Sequence, residues 1–139
     1  MKRVFLDTNI VIDLLAKRDH YSSAAAIFTL GDKGEIELYV SSLSFANTSY
    51  ILRKSMGREK ALEVLRDLDM LVDISPLTGK IIKLALNDDG FKDFEDGLQY
   101  YSALFVEADV IITRNLVDFK QAKIPVLNGS QYLEVIKST

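Results

Sequence analysis

Residues 2–9 read KRVFLDTN, a short apolar run that stops at an acidic residue and two further polar ones. The apolar residues 4–6 predict a strand, and Asp7 ends it. Apolar residues then recur at the spacing of a helix face, at Ile10, Val11, Leu14 and Leu15. The chain therefore begins with a strand that passes directly into a helix.

The same alternation continues to the end of the chain. Further strands are predicted at residues 36–40, 71–74, 110–112 and 124–127, and each is separated from the next by helical periodicity. Asp19 is predicted to cap the second helix. No repeat or linker interrupts residues 1–139, so a single domain is expected. Right-handed crossovers then predict a three-layer α/β/α sandwich around a mostly parallel sheet.

The composition of the chain excludes several classes of protein. The chain has no cysteine, which excludes disulfides and cysteine-ligated zinc. No apolar stretch approaches the roughly 20 residues that cross a bilayer, and no signal peptide is recognised, so a cytoplasmic protein without membrane contact is expected. The net charge of −3 argues against a basic nucleic-acid coat protein. An enzyme that meets nucleic acid through a bound cation is compatible with this charge.

Polar residues that follow the strands are the first candidates for a functional site, because ligands collect beyond the carboxyl ends of parallel strands. Asp7 follows the first strand. Residues 113–115 follow the strand at 110–112 and lead to Asp118. Asp93, Glu95 and Asp96 open the helix before that strand. Each group taken alone could equally be a helix cap.

Asn47 is a further candidate, because it lies among apolar residues of its helix. The stripe predicted to face the core consists of Leu43, Ala46, Asn47, Tyr50 and Ile51. A buried amide without a partner costs roughly 1–3 kcal/mol. The side chain of Asn47 should therefore bond locally or point at something polar beyond the sheet.

Convergence of the acidic groups at one sheet edge would require a cation. Two like charges 4 Å apart repel by about 4 kcal/mol at an effective dielectric near 20. Oxygen ligands without Cys or His suit Mg²⁺ or Mn²⁺. Such an ion orients and acidifies water and neutralises an attacked phosphate, while a carboxylate takes the proton. The pattern favours phosphodiester hydrolysis, although composition does not name the substrate.

Four motifs together resemble the PIN-domain family, and in particular the VapC-like toxins. They are LDTN around Asp7, the helix around Asn47, DFEDGLQYYSAL at residues 93–104 and TRNLVDF at residues 113–119. The resemblance spans nearly the whole chain, including IPVLNGSQYL from Ile124. It implies a metal-dependent endoribonuclease that acts on RNA, is silenced by an antitoxin protein and forms a homodimer.

The resemblance also implies roles for individual residues. Asp7, Asp96 and Asp118 would be the catalytic metal ligands, the last of them directly or through water. Asp93 and Glu95 would support Asp96. Around them, Thr113 would position backbone or a phosphate oxygen, Asn115 would stand where many members have an acid, and Arg114 would pair with substrate phosphate.

Two neutral residues depart from the family pattern. Many members have glutamate at the position of Asn47, and Asn115 also replaces an acid. Fewer carboxylates should bind a hard cation more weakly. A catalytically weak or inactive PIN-like module that binds RNA or protein is therefore an alternative. A phosphotransferase of the haloacid dehalogenase type is a second one, but it needs an acid where Asn9 stands.

Overall fold

The structure, a computed structural model, describes residues 1–138. These residues form five strands: β1 (Arg3–Leu6), β2 (Glu37–Ser41), β3 (Asp73–Ser75), β4 (Val110–Ile112) and β5 (Val126–Leu127). The same described residues form seven α-helices: α1 (Thr8–Leu15), α2 (Tyr21–Asp32), α3 (Ser42–Met56), α4 (Arg58–Leu71), α5 (Gly79–Leu86), α6 (Phe94–Phe105) and α7 (Gly129–Lys137). A 3-10 turn covers Leu116–Phe119. Within residues 1–138, no helix has the length and apolarity to cross a membrane.

The strands form one sheet in the order β3-β2-β1-β4-β5, and every pairing is parallel. The predicted sandwich is confirmed, with a sheet that is parallel throughout. β1 is central and pairs with β2 on one side and β4 on the other. Because all strands point the same way, the residues after β1, β2 and β4 emerge at one edge of the sheet.

Alternating side chains of β1 supply the core on both faces of the sheet. Val4 and Leu6 pack into the larger apolar cluster, with residues of α1, α2, α4 and α7. Phe5 packs into a second cluster with Ile111, Tyr100 and other residues of the α6 side. Both faces of the sheet are therefore covered, which explains why the polar residues of the strands lie only at strand ends.

Three local predictions were wrong at their boundaries. Helix α4 extends through Leu71, so β3 begins at Asp73 rather than at residue 71. Strand β5 covers only Val126–Leu127, since Pro125 before it has no N–H to donate to the sheet. Asp19 does not cap α2: the N-cap is His20, whose side chain makes no capping hydrogen bond.

Candidate active site

An open cleft of about 590 Å³ lies at the edge where β1, β2 and β4 end. It brings together nearly all the residues that the sequence predicted for a site. The predicted residues that line it are Asp7, Asn47, Asp93, Glu95, Asp96, Arg114, Asn115 and Asp118. Thr113 does not line the cleft, but is fully buried behind Asp7.

Asp7 is the most constrained carboxylate of the cleft. It is 6% exposed and is the N-cap of α1, where its Oδ1 accepts a hydrogen bond of 2.9 Å from the Thr8 amide. Oδ1 also accepts from Gln99 Nε2 at 2.9 Å, and Oδ2 accepts from Thr113 Oγ1 at 2.7 Å. Asp7 can therefore both cap α1 and bind a ligand in the cleft, since Oδ2 accepts one short hydrogen bond and a long one of 3.5 Å from Asn9 Nδ2 and keeps further acceptor capacity.

Thr113 and Asn9 join the chain after β1 to the chain after β4. Thr113 Oγ1 accepts hydrogen bonds from Asn9 Nδ2 at 3.2 Å and from the Asn115 amide at 3.0 Å. Asn9 Oδ1 accepts from the Arg114 amide at 3.2 Å. Asn9 thus links the first turn of α1 to the loop after β4 through hydrogen bonds of its side chain.

Gln99 is a central residue that the sequence analysis missed. It is 3% exposed, and its Nε2 donates to Asp7 and, at 2.9 Å, to Ser44 Oγ. Its Oε1 accepts from Ser41 Oγ. Gln99 follows Asp96 by three positions and so lies on the same helix face. The signal available in the sequence was an amide side chain among apolar residues of a helix, and Asn47 shows the same signal.

Asp96 lies at the start of α6, one turn before Gln99, and carries the strongest electrostatic perturbation in the cleft. Burial raises the pKa of Asp96 to about 7, and repulsion from Asp7, Asp93, Asp118 and Glu95 adds to the effect. Its carboxylate accepts no hydrogen bond from a side chain within residues 1–138. The carboxylates are therefore close enough to repel one another.

Helix α3 contributes a mostly apolar wall to the cleft. Leu43, Asn47, Tyr50 and Ile51 line the cleft. The buried residues of α3 are instead Ser44, Thr48 and Leu52. The predicted core-facing stripe was therefore wrong: it faces the cleft, with Tyr50 55% exposed and Ala46 also exposed. Asn47 thus lines the cleft together with most of its stripe.

Arg114 has an ion-pair partner that the sequence analysis did not identify. Its Nε lies 2.8 Å from Oδ2 of Asp13, a residue of α1 that is only 1% exposed. A second arginine, Arg18, also lines the cleft. Both residues could have been noticed in the sequence. Asp13 interrupts an apolar helix face, and Arg18 lies at the end of the turn that follows this helix.

A divalent cation suits the donor set of the cleft. Mg²⁺ and Mn²⁺ prefer oxygen ligands, and Asp7, Asp96, Asp118 and Asn47 supply them. Burial and, after it, repulsion from the neighbouring acids raise the pKa of Asp96, and a bound cation would offset this repulsion. Within residues 1–138, however, no three acidic or histidine side chains stand close enough to hold one ion together. Binding would require the more exposed carboxylates to close around the ion.

The relationship to known proteins is seen across the whole chain. A family model described as the PIN domain matches residues 3–117. The chain belongs to the PIN-domain family. This PIN domain is similar to Ribonuclease VapC1 of Aquifex aeolicus (strain VF5), with 31% identity over 140 residues, covering 96% of this chain and 94% of that protein.

Solved structures share the fold of this PIN domain. VapBC-1 from nontypeable Haemophilus influenzae has a TM-score of 0.68 and 20% identity, covering 91% of this chain and 98% of that one. Mycobacterium tuberculosis VapC20, described as a sarcin-ricin loop cleaving toxin, has a TM-score of 0.66 and 16% identity, covering 87% and 95% of the two chains.

Proposed function

We propose that this PIN domain is a metal-dependent endoribonuclease and the toxin of a toxin–antitoxin pair. The observation that carries the proposal is the presence of Asp7, Asp96 and Asp118 in one cleft at the carboxyl ends of the central strands. The 31% identity with a ribonuclease named VapC1 supports the same reaction class.

Each residue receives a role from its environment. Asp7, held by Thr8, Thr113 and Gln99, would be the rigid metal ligand, and Asp96 would be the second. Bound Mg²⁺ or Mn²⁺ would polarise the scissile phosphate and acidify the attacking water. Asp118, which is exposed at the cleft rim, would complete the ligand set or accept the proton of that water.

The remaining predicted residues would support this reaction. Asp93 caps α6 through a 2.9 Å bond from the Glu95 amide, and so positions the first turn that carries Asp96. Glu95 would add negative charge beside the ion. Asn47 and Asn115 would offer neutral oxygens or bind substrate, and Arg114 would contact phosphate.

The activity is tested with purified protein, single-stranded RNA and Mn²⁺ or Mg²⁺. Cleavage should require the metal, stop with a chelator and be abolished in Asp7→Asn. The control Lys60→Gln alters an exposed ion pair with Glu63 on α4, outside the cleft, and should cleave like wild type. Cleavage that persists unchanged in Asp7→Asn would reveal a contaminating nuclease.

A second function is favoured by the neutral Asn47 and Asn115 and by the absence of a closed three-acid group within residues 1–138. In that case the chain is a PIN-like module that binds RNA or protein without cutting. Tight RNA binding with no metal-dependent cleavage under any tested condition would select this alternative.

The proposed partner is an antitoxin with a basic segment, since five carboxylates line the cleft: Asp7, Asp93, Glu95, Asp96 and Asp118. Arg or Lys of such a segment would take the place of the metal. Co-expression with the neighbouring reading frame should give a stable complex and rescue growth. A homodimer is also proposed, testable by sedimentation, and the cytoplasmic location stays a prediction.

A further inference from the structure

Asp13 is the least compensated buried charge within residues 1–138. Its side chain is 1% exposed, yet neither carboxylate oxygen accepts a hydrogen bond from any described residue. Arg114 Nε lies 2.8 Å from Oδ2, so the pair is ionic without hydrogen-bond alignment. A buried carboxylate is costly unless a cation accompanies it. Asp13 therefore restricts where the guanidinium of Arg114 can lie.

The backbone of Asp13 holds a second arginine. The Arg18 amide donates to the Asp13 carbonyl at 3.1 Å, and the Lys17 amide donates to the Leu14 carbonyl at 3.4 Å. Together with Lys17 at φ 51°, these bonds form a Schellman motif that ends α1. Arg18 thus leaves the helix in a fixed direction and lines the cleft.

The two arginines are the basic residues among the described side chains of the cleft wall, and five carboxylates line the same cleft. An acidic cleft repels a polyanion, so an RNA strand needs local positive charge beside the acids. Arg114 turns Nε toward Asp13, and its side chain is 35% exposed, which leaves the terminal nitrogens for a phosphate. Arg18 makes no ion pair with any residue between 1 and 138.

We propose that Asp13 is a positioning residue whose carboxylate holds Arg114, which forms a phosphate-binding rim for the RNA backbone beside the acidic cleft together with Arg18, placed by the turn that ends α1. This inference rests on the proposed function, because it takes RNA as the ligand of the cleft. It explains the orientation of Arg114 by its contact with Asp13, and it adds Asp13 and Arg18 to the residues proposed to act in RNA binding. The rim would position the strand next to the phosphate that is cut.

The Asp13→Asn variant separates an effect of net charge from an effect of side-chain positioning, because the two predict opposite changes in RNA affinity. Removing a negative charge near the cleft should tighten RNA binding if only net charge matters. If the Asp13 carboxylate orients Arg114, RNA binding should weaken roughly tenfold, the size expected for loss of a charge-assisted hydrogen bond from the guanidinium to a phosphate. Binding is measured with a labelled single-stranded oligoribonucleotide and Mg²⁺, in an Asp7→Asn background that prevents cleavage.

Salt dependence identifies the phosphate contacts. Arg114→Gln and Arg18→Gln should each lower the slope of log affinity against log salt concentration by about 0.7, the contribution of one phosphate contact on a single strand. Arg114→Lys should keep the slope but lose affinity, since lysine lacks the planar fork. Lys60→Gln is the matched control and should change neither the slope nor the affinity.

Folding is separated from binding by a double variant. Arg114→Gln leaves Asp13 buried without a cation and should unfold at lower urea, whereas Asp13→Asn/Arg114→Gln removes both charges and should recover stability. The double variant should still bind RNA weakly, with the reduced salt slope. Unchanged or tighter binding in Asp13→Asn, or an unchanged slope in the double variant, would overturn the proposal.

The outcomes also distinguish this inference from the proposed function. Arginine-dependent RNA binding without metal-dependent cleavage by the wild type would refute the nuclease and keep the rim. Cleavage by the wild type, with RNA binding that ignores Asp13, Arg18 and Arg114, would keep the nuclease and refute the rim.

Discussion

Thr113 Oγ1 donates a hydrogen bond of 2.7 Å to Asp7 Oδ2, directly beneath the cleft. The two residues are 106 positions apart in sequence and are both buried. Because β1 and β4 are neighbours in the sheet, this bond ties the first acid of the site to the segment that carries Arg114, Asn115 and Asp118.

Replacing Thr113 with valine should destabilise the protein and weaken metal binding. The variant keeps the shape but loses the hydroxyl that serves Asp7, Asn9 and the Asn115 amide. Leaving buried polar groups unpaired costs roughly 1–3 kcal/mol. Urea unfolding and Mn²⁺ titration measure the two effects. Thr113→Ser retains the hydroxyl and should keep most of the metal affinity; an equal loss in both variants would contradict the assigned role.

Replacing Asp96 with asparagine should stabilise the metal-free protein at high pH only. The pKa of Asp96 is raised from 3.8 to about 7 in the folded chain. Below pH 3.8 the group is protonated in both states and contributes nothing. Between the two pKa values the unfolded chain ionises more readily, so stability falls, and the full penalty is present above pH 7.

After allowance for water in the open cleft, Asp96→Asn should gain on the order of 1–2 kcal/mol at pH 8 and little at pH 4. Chemical unfolding with a chelator measures this difference. Asp67→Asn changes an exposed acid of α4 and should show no such pH dependence. Saturating Mn²⁺ should reverse the order, because wild type then gains binding energy that the variant lacks.

Restoring an acid at Asn47 should strengthen metal binding. Asn47→Glu adds a carboxylate to the α3 side of the cleft. We expect several-fold tighter Mn²⁺ binding and faster RNA cleavage, since hard cations favour charged oxygen ligands. Without metal the variant should be less stable than wild type. Asn47→Gln, which lengthens the side chain without charge, is the control. Similar metal affinity in both variants would show that Asn47 does not face the ion.

Two helices end in a left-handed residue that is not glycine, and glycine there should stabilise the fold. Lys17 has φ 51° and Glu107 has φ 55°, and each follows the last turn of its helix. Lys17→Gly and Glu107→Gly should each gain about 0.5 kcal/mol, because the saved strain exceeds the added unfolded-chain entropy. Lys33→Gly, at φ −76°, should lose stability instead. Thermal unfolding compares the three variants.

Periodicity predicted the layers and most elements, because strands buried on both faces are nearly continuous apolar runs. Residues 110–112 became β4 as expected. Element ends were less predictable, since they depend on tertiary contacts: Leu71 continues α4 because it packs against the larger core cluster. The spacing of apolar residues in the sequence could not show this packing of Leu71.

The site was predictable where polar residues follow strands, as at Asp7 and the residues after β4. It was not predictable where a side chain acts from within a helix. Gln99 and Asp13 resemble ordinary helix positions until the partners Asp7 and Arg114 are brought beside them by the sheet. The orientation of the α3 stripe likewise depends on α3 lining the cleft.

The central place of β1 has a consequence during synthesis. β2 can pair with β1, and β3 with β2, as soon as they leave the ribosome, but the other flank of β1 stays open until residues 110–112 have been made. Until then Asp7 lacks its hydrogen bond from Thr113, and Asp118 has not been synthesised. A nascent chain that has completed three strands and six helices therefore still lacks part of the proposed metal site.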